Sequence, residues 1–113
     1  MIYLDAAATT KPDQRVIDVM IPYFTTKWYN PSSLYNKSVD IKKDIESARS
    51  VVGKFIGANG SEIFFTSGGS ESNCWAIQGF VNECMLKKKI PCIITSKIEH
   101  KSILECANNS IAK

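Results

Sequence analysis

Apolar side chains recur every three or four residues in two stretches of the first half of the chain, the spacing of a helix with one buried face. The stretches cover residues 12–24 and 38–56. Pro22 falls inside the first stretch and is expected to kink or end that helix. Gly57 follows the second stretch and is typical of a helix C-cap. The first half therefore predicts two helices joined by a loop.

The second half alternates between two kinds of pattern. Short runs rich in β-formers, at residues 62–67 and 91–96, are each followed by helical spacing. One predicted helix begins near Ser70 and the other covers residues 100–112. The order strand, helix, strand, helix is that of the βαβ units of a parallel sheet. The sequence therefore predicts an α/β fold.

Two strands make an incomplete parallel sheet, which needs more strands and cover on both faces. The predicted helices also carry more apolar surface than a chain of 113 residues can cover. The chain ends on a helix where a βαβ protein would continue to another strand. We therefore expect either a fragment of a longer protein or a chain that needs partners.

Composition adds few functional clues. The hydrophobic and charged fractions, 44% and 22%, argue against disorder, and the net charge of +3 is mild. The densest basic run, residues 87–89, is better explained as a solvated helix end than as a nucleic-acid site. No signal peptide or membrane-length apolar stretch is visible, so we predict a cytoplasmic protein without membrane contact. The four cysteines match no zinc spacing, and three of them (Cys74, Cys84 and Cys92) have apolar neighbours in the sequence. We therefore predict free core thiols and no metal.

A phosphate-binding turn is the first candidate site. A predicted strand ends at Gly68-Gly69, and a helix begins with Ser70 and Glu71. Unpaired N–H groups and the helix dipole favour an anion at such a position, and glycines allow its close approach. The alternative is an ordinary connecting turn in which Ser70 is the N-cap. If an anion binds, the Glu71 carboxylate is expected to point away from it.

His100, the only histidine, is the second candidate. It follows the second predicted strand and begins a helix, so it lies at the same edge of the predicted sheet as the Gly-Gly-Ser turn. A neutral imidazole there can stack on a flat cofactor and exchange protons. The alternative is a surface histidine that caps the helix.

Four segments together resemble the class V aminotransferase family, which has pyridoxal-phosphate (PLP) fold type I. The closest similarity is to cysteine desulfurases of the nitrogen-fixation and iron–sulfur type. The matching segments are Tyr3-Leu4-Asp5-Ala6-Ala7-Ala8-Thr9-Thr10, Asn30-Pro31-Ser32-Ser33, Phe65-Thr66-Ser67-Gly68-Gly69-Ser70-Glu71-Ser72-Asn73 and Ile94-Thr95-Ser96-Lys97-Ile98-Glu99-His100. They occur in the family's order and span nearly the whole chain.

The resemblance implies a role for each candidate. Gly69 and Ser70 fall where the family binds the PLP phosphate, and His100 falls on the catalytic histidine that stacks over the pyridine ring. Residues Ala7, Ala8 and Thr9 lie near the substrate in the family, through backbone contacts. The resemblance gives Asn73 no role.

The resemblance also implies an organisation and a function. Residues 1–37 correspond to an N-terminal arm and a small-domain-like segment, and residues 38–113 to a long helix and the incomplete beginning of the PLP-binding large domain. The implied function is the N-terminal portion of a PLP-dependent cysteine desulfurase, which converts L-cysteine to L-alanine and passes sulfur to an enzyme cysteine. A homodimer or higher oligomer and a sulfur-acceptor scaffold protein are the implied partners.

Some departures keep alternatives open. Tyr35 stands where the family usually has histidine, and Cys74 and Trp75 are unusual at their positions. The family's Schiff-base lysine and persulfide-forming cysteine match no residue of this chain, so we expect the chain alone to be inactive. The alternatives are an inert, self-associating fragment and another class V enzyme, such as a selenocysteine lyase or an aminotransferase.

Overall fold

The computed structural model describes residues 2–111, which form four α-helices and one short 3₁₀-helix. In chain order, α1 spans Gln14–Thr25, α2 Asn36–Ile56, the 3₁₀-helix Gly60–Glu62, α3 Gly69–Leu86 and α4 Lys101–Ile111. Each predicted helix is present and begins within two residues of its expected start. The last was predicted to reach residue 112, which lies outside the described residues. The chain divides into two compact units between Ile63 and Phe64.

The first helix of the first unit starts on a side-chain cap. The Asp13 carboxylate accepts the Arg15 N–H, which satisfies one of the unpaired donors at the start of α1. Pro22 does not end the helix, which continues to Thr25, and the Pro22 carbonyl accepts the N–H of Thr26 at 2.9 Å. Because Pro22 lies in the last turn, its missing N–H costs the helix few of its backbone hydrogen bonds.

Gly57 ends α2 as predicted. Its φ of +74° lies in the left-handed region, which glycine adopts without the steric cost of a Cβ atom. Gly53, one turn earlier, is buried, and a Cβ atom there would stand 2.8 Å from the Ala58 carbonyl oxygen. Two glycines thus allow the chain to turn tightly from α2 into the 3₁₀-helix.

A polar cluster joins α1 and its C-terminal extension to α2. The Asp44 carboxylate accepts the Tyr23 hydroxyl at 2.8 Å and the Lys27 ammonium at 3.1 Å. The Tyr23 hydrogen bond, followed by that of Lys27, holds the pKa of Asp44 below its ordinary value. The first unit is therefore held by polar contacts as well as by its buried apolar residue Ile41.

The second unit is built on the packing of α3 against α4. Its buried residues are Val81 from α3 and the pair Cys106 and Ala107 from α4. Phe64 meets Trp75 of α3 edge to face, with ring centroids 5.6 Å apart, an arrangement favoured by aromatic quadrupoles. This packing fixes the starts of α3 and α4 within one unit.

The predicted strands are the main departure from expectation. Residues 63–66 and 91–96 are neither helix nor strand, and no strand is present anywhere in residues 2–111. A strand exists only when it pairs with a neighbour, and these segments have none among the described residues. The side chain of Ile94 is 94% exposed where a sheet would bury it. The β-α-β-α prediction is thus confirmed for its helices, while the start of the sheet is not formed.

The predicted division into residues 1–37 and 38–113 stays a prediction about the family's domains. Position 38 lies inside α2, and the compact units meet at Ile63 and Phe64 instead. Within residues 2–111, no helix is both long and apolar enough to cross a membrane.

Candidate cofactor site

The start of α3 has no side-chain cap. Gly68 occupies the N-cap position, and the first helical hydrogen bond runs from the Ser72 N–H to the Gly68 carbonyl, 3.1 Å. The N–H groups of Gly69, Ser70 and Glu71 come before that bond and cannot pair within the helix. The N-cap is therefore Gly68 and not Ser70, and the choice between an anion site and an ordinary connecting turn stays a prediction. The turn presents three backbone donors and the positive end of the helix dipole.

Two hydroxyl groups hold this turn in place. The Thr66 hydroxyl donates to the Gly68 carbonyl at 3.2 Å and lies 2.7 Å from the Ser72 hydroxyl. Because Thr66 has a single hydroxyl proton, the Ser72 hydroxyl is the donor between the two. The result is a short chain of hydrogen bonds that connects α3 to the segment before it.

Glu71 is engaged by the residue before the glycines. Its carboxylate accepts the Ser67 N–H at 2.6 Å and the Ser67 hydroxyl at 2.7 Å. These bonds to the charged form, the backbone one first, hold the pKa of Glu71 below its ordinary value. The carboxylate is thus held against Ser67, on the N-terminal side of the turn.

The glycines leave open space at the turn. A Cβ atom added to Gly68 or Gly69 would meet nothing within 4 Å. The Gly68 backbone is extended, with φ 165°, a conformation that other residues also adopt. The glycines therefore matter here through their missing side chains, which leave room for a ligand at the free N–H groups.

His100 caps α4. Its carbonyl accepts the Ile103 N–H at 2.9 Å, and its Nδ1 accepts the Ser102 N–H at 3.2 Å. A backbone N–H can only donate, so Nδ1 must offer a lone pair. In the neutral ring the proton is then on Nε2. The capping interpretation is therefore confirmed, and among residues 2–111 no hydrogen bond is formed by Nε2.

A second contact reaches the same ring nitrogen. The Ser102 hydroxyl lies 2.8 Å from Nδ1 of His100, and the Asn73 amide Nδ2 donates to that hydroxyl at 2.9 Å. Asn73 and Ser102 are both half-buried. Neither residue has a role that the sequence predicts, because their contact depends on the packing of α3 against α4.

Ser70 and His100 line the same cavity, between α3 and α4. Its volume is about 350 Å³, within the range of small-molecule sites. Its lining includes Cys74, Gln78 and Lys101. The two candidate sites found separately in the sequence are therefore neighbours in the structure.

Ala7, Ala8 and Thr9 lie in the first unit and are exposed. The Asp5 carbonyl accepts the Ala8 N–H at 3.1 Å, and the Tyr3 hydroxyl contacts the carbonyls of Asp5 and Thr9 at 2.7 and 2.9 Å. Tyr3 thus closes this turn, which sequence reasoning missed. The proposed contact of the turn with substrate stays a prediction.

The four cysteines are free thiols, but the prediction of core positions is wrong for Cys92, which is exposed. The Cys106 thiol is buried and donates to the Cys74 carbonyl at 3.8 Å. A side-chain hydrogen bond between the two thiols, followed by burial, raises the pKa of the Cys74 thiol, which makes it a weak nucleophile at neutral pH. No group of three or more metal-ligating side chains is found in residues 2–111.

Comparison with known proteins decides the family. The family model for aminotransferase class V matches residues 2–112. The chain belongs to the aminotransferase class-V family. A solved structure of a NifS-like protein has the same fold over 96% of this chain, with 38% identity and a TM-score of 0.86, and the match covers 29% of that protein.

Curated class-V relatives give the same result. The chain is 48% identical over 106 residues to a cysteine desulfurase IscS of Clostridium botulinum (strain Hall) and 45% identical over 109 residues to one of Rickettsia rickettsii (strain Iowa). The matches cover 94% and 96% of this chain. The chain spans about a quarter of the length of these relatives, 26% in both cases.

The class-V family is PLP-dependent. Three backbone N–H groups, the Ser70 hydroxyl and the dipole of α3 form a donor set suited to a phosphate group. The open space beside Gly69 leaves room for that group. The residues present therefore fit the phosphate of PLP.

Proposed function

We propose that this chain is the N-terminal portion of a PLP-dependent cysteine desulfurase, which converts L-cysteine to L-alanine and passes the sulfur to an enzyme cysteine. The main support is the cavity shared by Ser70 and His100, where the start of α3, which has no side-chain cap, lies beside an imidazole. Family membership and the cysteine desulfurase relatives support the same reaction. The proposal extends to the whole protein, of which this chain would supply one wall of the site.

Each residue has a separate part in the proposed site. Gly69 and Ser70 hold the phosphate, and this anchors the cofactor. When bound, PLP supplies an electron sink for the substrate's α-carbon. His100 covers the ring face and exchanges a proton at Nε2, the nitrogen that the cap of α4 leaves free. The turn at Ala7, Ala8 and Thr9 contacts the amino-acid substrate through its backbone.

The proposed protein has partners. The large apolar side chains of both units include many that are exposed, among them Leu34, Phe55 and Ile90. Exposed apolar surface of this extent is typical of association. We therefore propose that further chain and a second copy cover these faces, and that a scaffold protein accepts the sulfur. The 113-residue chain alone is expected to be inactive, and a cytoplasmic location stays a prediction.

A chimera tests the proposed function. The segment of the Clostridium botulinum relative that matches this chain is replaced by the corresponding 106 residues. The chimera is expected to bind PLP, measured by its absorbance. With a dithiol present to reduce the enzyme persulfide, it is expected to release sulfide and alanine from cysteine in equal amounts. His100→Ala in the chimera should lower turnover by about 100-fold or more, the usual range for a lost general acid–base. The unmodified relative is the control.

Other outcomes separate the alternatives. A folded chimera that binds PLP but turns over only selenocysteine, or only exchanges amino groups, would favour another class V enzyme. A folded chimera without PLP would contradict the proposed site. Turnover by the 113-residue chain alone, abolished by His100→Ala, would overturn the expectation that the chain is inactive by itself.

A further inference from the structure

We propose that Asn73 is a positioning residue that acts through the Ser102 hydroxyl to fix the orientation and the tautomer of the His100 ring. This inference rests on the proposed function, because it concerns the ring assigned to the cofactor. It adds two residues to which sequence reasoning assigned no role. Neither touches the reacting atoms in the proposal, so both act only through His100.

The hydrogen-bond directions form one consistent chain. The Asn73 amide can donate through Nδ2 and does so to the Ser102 oxygen, 2.9 Å away. That oxygen, having accepted, keeps its own proton for the His100 Nδ1 at 2.8 Å. The Ser102 N–H approaches the same nitrogen at 3.2 Å. Both donors from Ser102 therefore favour an unprotonated Nδ1.

The hydrogen bond between Asn73 and Ser102 joins two helices and is partly shielded from water. Asn73 lies on α3 and Ser102 on α4, so the hydrogen bond ties the ring at one helix start to the body of the other helix. Both side chains are half-buried, which protects the bond from competition with water, whereas His100 itself is exposed. Without Asn73, the Ser102 hydroxyl is free to rotate away from the ring.

The two tautomers give Nε2 opposite hydrogen-bonding roles in the proposed site. With Nδ1 held as an acceptor, Nε2 carries the proton in the neutral ring and donates it from a fixed direction. With the proton on Nδ1, Nε2 is an acceptor and the cap of α4 loses its bond to the Ser102 N–H. Asn73 would thus set which proton transfer His100 performs first.

The test uses the single histidine of the full 113-residue chain. Nitrogen-15 NMR of the ring reports which nitrogen carries the proton, and only one imidazole contributes. The measurement is made at alkaline pH, in the range where the nitrogen-15 signals of the ring no longer change with pH, so that the ring is neutral. A free histidine side chain already prefers the Nε2–H form in water, so the decisive readout is the change between variants.

Asn73→Asp is the decisive variant, because a carboxylate can only accept. The new carboxylate accepts a hydrogen bond from the Ser102 hydroxyl, so that the Ser102 oxygen presents a lone pair to Nδ1. The ratio of Nε2–H to Nδ1–H forms should fall about threefold or more, the effect of one hydrogen bond. Asn82→Asp, an exposed position on the same helix, carries the same charge change and should leave the ratio unaltered. An unaltered ratio in Asn73→Asp would overturn the proposal.

A double variant tests the route through Ser102. In Asn73→Asp with Ser102→Ala the hydroxyl is gone, so the effect of the carboxylate on the ratio should disappear. A persistent effect would mean that the carboxylate acts directly on the ring, against the proposal. If Asn73→Asp unfolds the chain, Ser102→Ala alone should lower the ratio and Ser102→Thr, which keeps the hydroxyl, should restore it. No change in Ser102→Ala would again overturn the proposal.

PLP binding is followed separately in the chimera, by absorbance. A changed tautomer ratio without PLP binding would contradict the proposed function and leave the role of Asn73 standing. PLP binding with an unchanged tautomer ratio would support the proposed function and contradict the role of Asn73.

Discussion

The starts of α3 and α4 lie in the same unit but differ in whether a side chain pairs with the first N–H groups of the helix. Both helices begin with N–H groups that the helix cannot pair. At α3 the N-cap is Gly68, which has no side chain, and the first N–H groups have no partner in the part of the chain that the structure describes. At α4 the ring of His100 accepts the Ser102 N–H. One start is left open to a ligand, and the other is closed by the residue proposed to face that ligand.

The difference shows how stability and binding are divided between the helices. A side-chain cap stabilises a helix by about 1 kcal/mol, and α3 gives up that contribution at Gly68. In exchange its first turn keeps the donors that bind anions. Local order at α3 comes instead from the contacts of Thr66 and Glu71 with neighbouring residues. At α4 the cap also orients the imidazole, so one contact serves the helix and the site.

Closing the open start of α3 should have the largest effect on PLP affinity. Ser70→Asp puts a carboxylate beside the free N–H groups, where it repels a phosphate group. In the chimera, the affinity for PLP should fall at least tenfold, about 1.4 kcal/mol. Because an acidic residue in the first turn stabilises a helix, the loss of binding should occur without loss of helical structure. PLP absorbance and circular dichroism measure the two quantities.

Ser61→Asp is the matched control for that substitution. Ser61 is exposed in the 3₁₀-helix of the first unit, and the same charge there should leave PLP affinity within twofold of the parent. Equal losses in both variants would point to a general effect of charge. No loss in Ser70→Asp would mean that the start of α3 does not hold the phosphate.

Removing the side-chain cap at the start of α4 should have an intermediate effect, on the local stability of that helix start. His100→Ala removes the cap, and the Ser102 amide should then exchange its hydrogen about fivefold faster, the equivalent of about 1 kcal/mol. His100→Asn supplies a different N-cap and should restore slow exchange. Amide hydrogen exchange by NMR on the 113-residue chain measures both.

The same two variants distinguish a capping role of His100 from a catalytic role. In the chimera, His100→Asn should lose sulfide release as fully as His100→Ala, since neither side chain has an imidazole. Recovery of sulfide release in His100→Asn would show that His100 serves only as a cap, against its proposed role in proton exchange.

The sequence predicted the two helix starts but not how they are built. Periodic apolar residues and Gly57 located the helices within two residues, because those signals are local. The resemblance identified Gly69, Ser70 and His100 from short motifs. The hydrogen bond from Asn73 to Ser102 spans 29 positions of the chain, so no local pattern indicates it. The predicted strands failed for a related reason, since residues 63–66 and 91–96 have no partner strand among the described residues.

The smallest expected effect concerns the one carboxylate at the open start. Hydrogen bonds from Ser67 hold the pKa of Glu71 below its ordinary value of 4.5. A group with a lowered folded pKa stabilises the fold fully above its ordinary pKa, and that contribution is lost as the pH falls through the lower folded value. The Ser67 amide signal should therefore be constant above about pH 5.5 and shift with a midpoint below 4.5.

Glu71→Gln should abolish this shift, whereas Glu105→Gln, at an exposed position on α4, should leave it intact. A midpoint at or above 4.5 would mean that the Ser67 contacts do not favour the charged carboxylate. In that case Glu71 would be free to face the unpaired N–H groups of Gly69 and Ser70, and the start of α3 would hold its own anion. A midpoint below 4.5 instead leaves those donors for a ligand, which is the property that distinguishes α3 from α4.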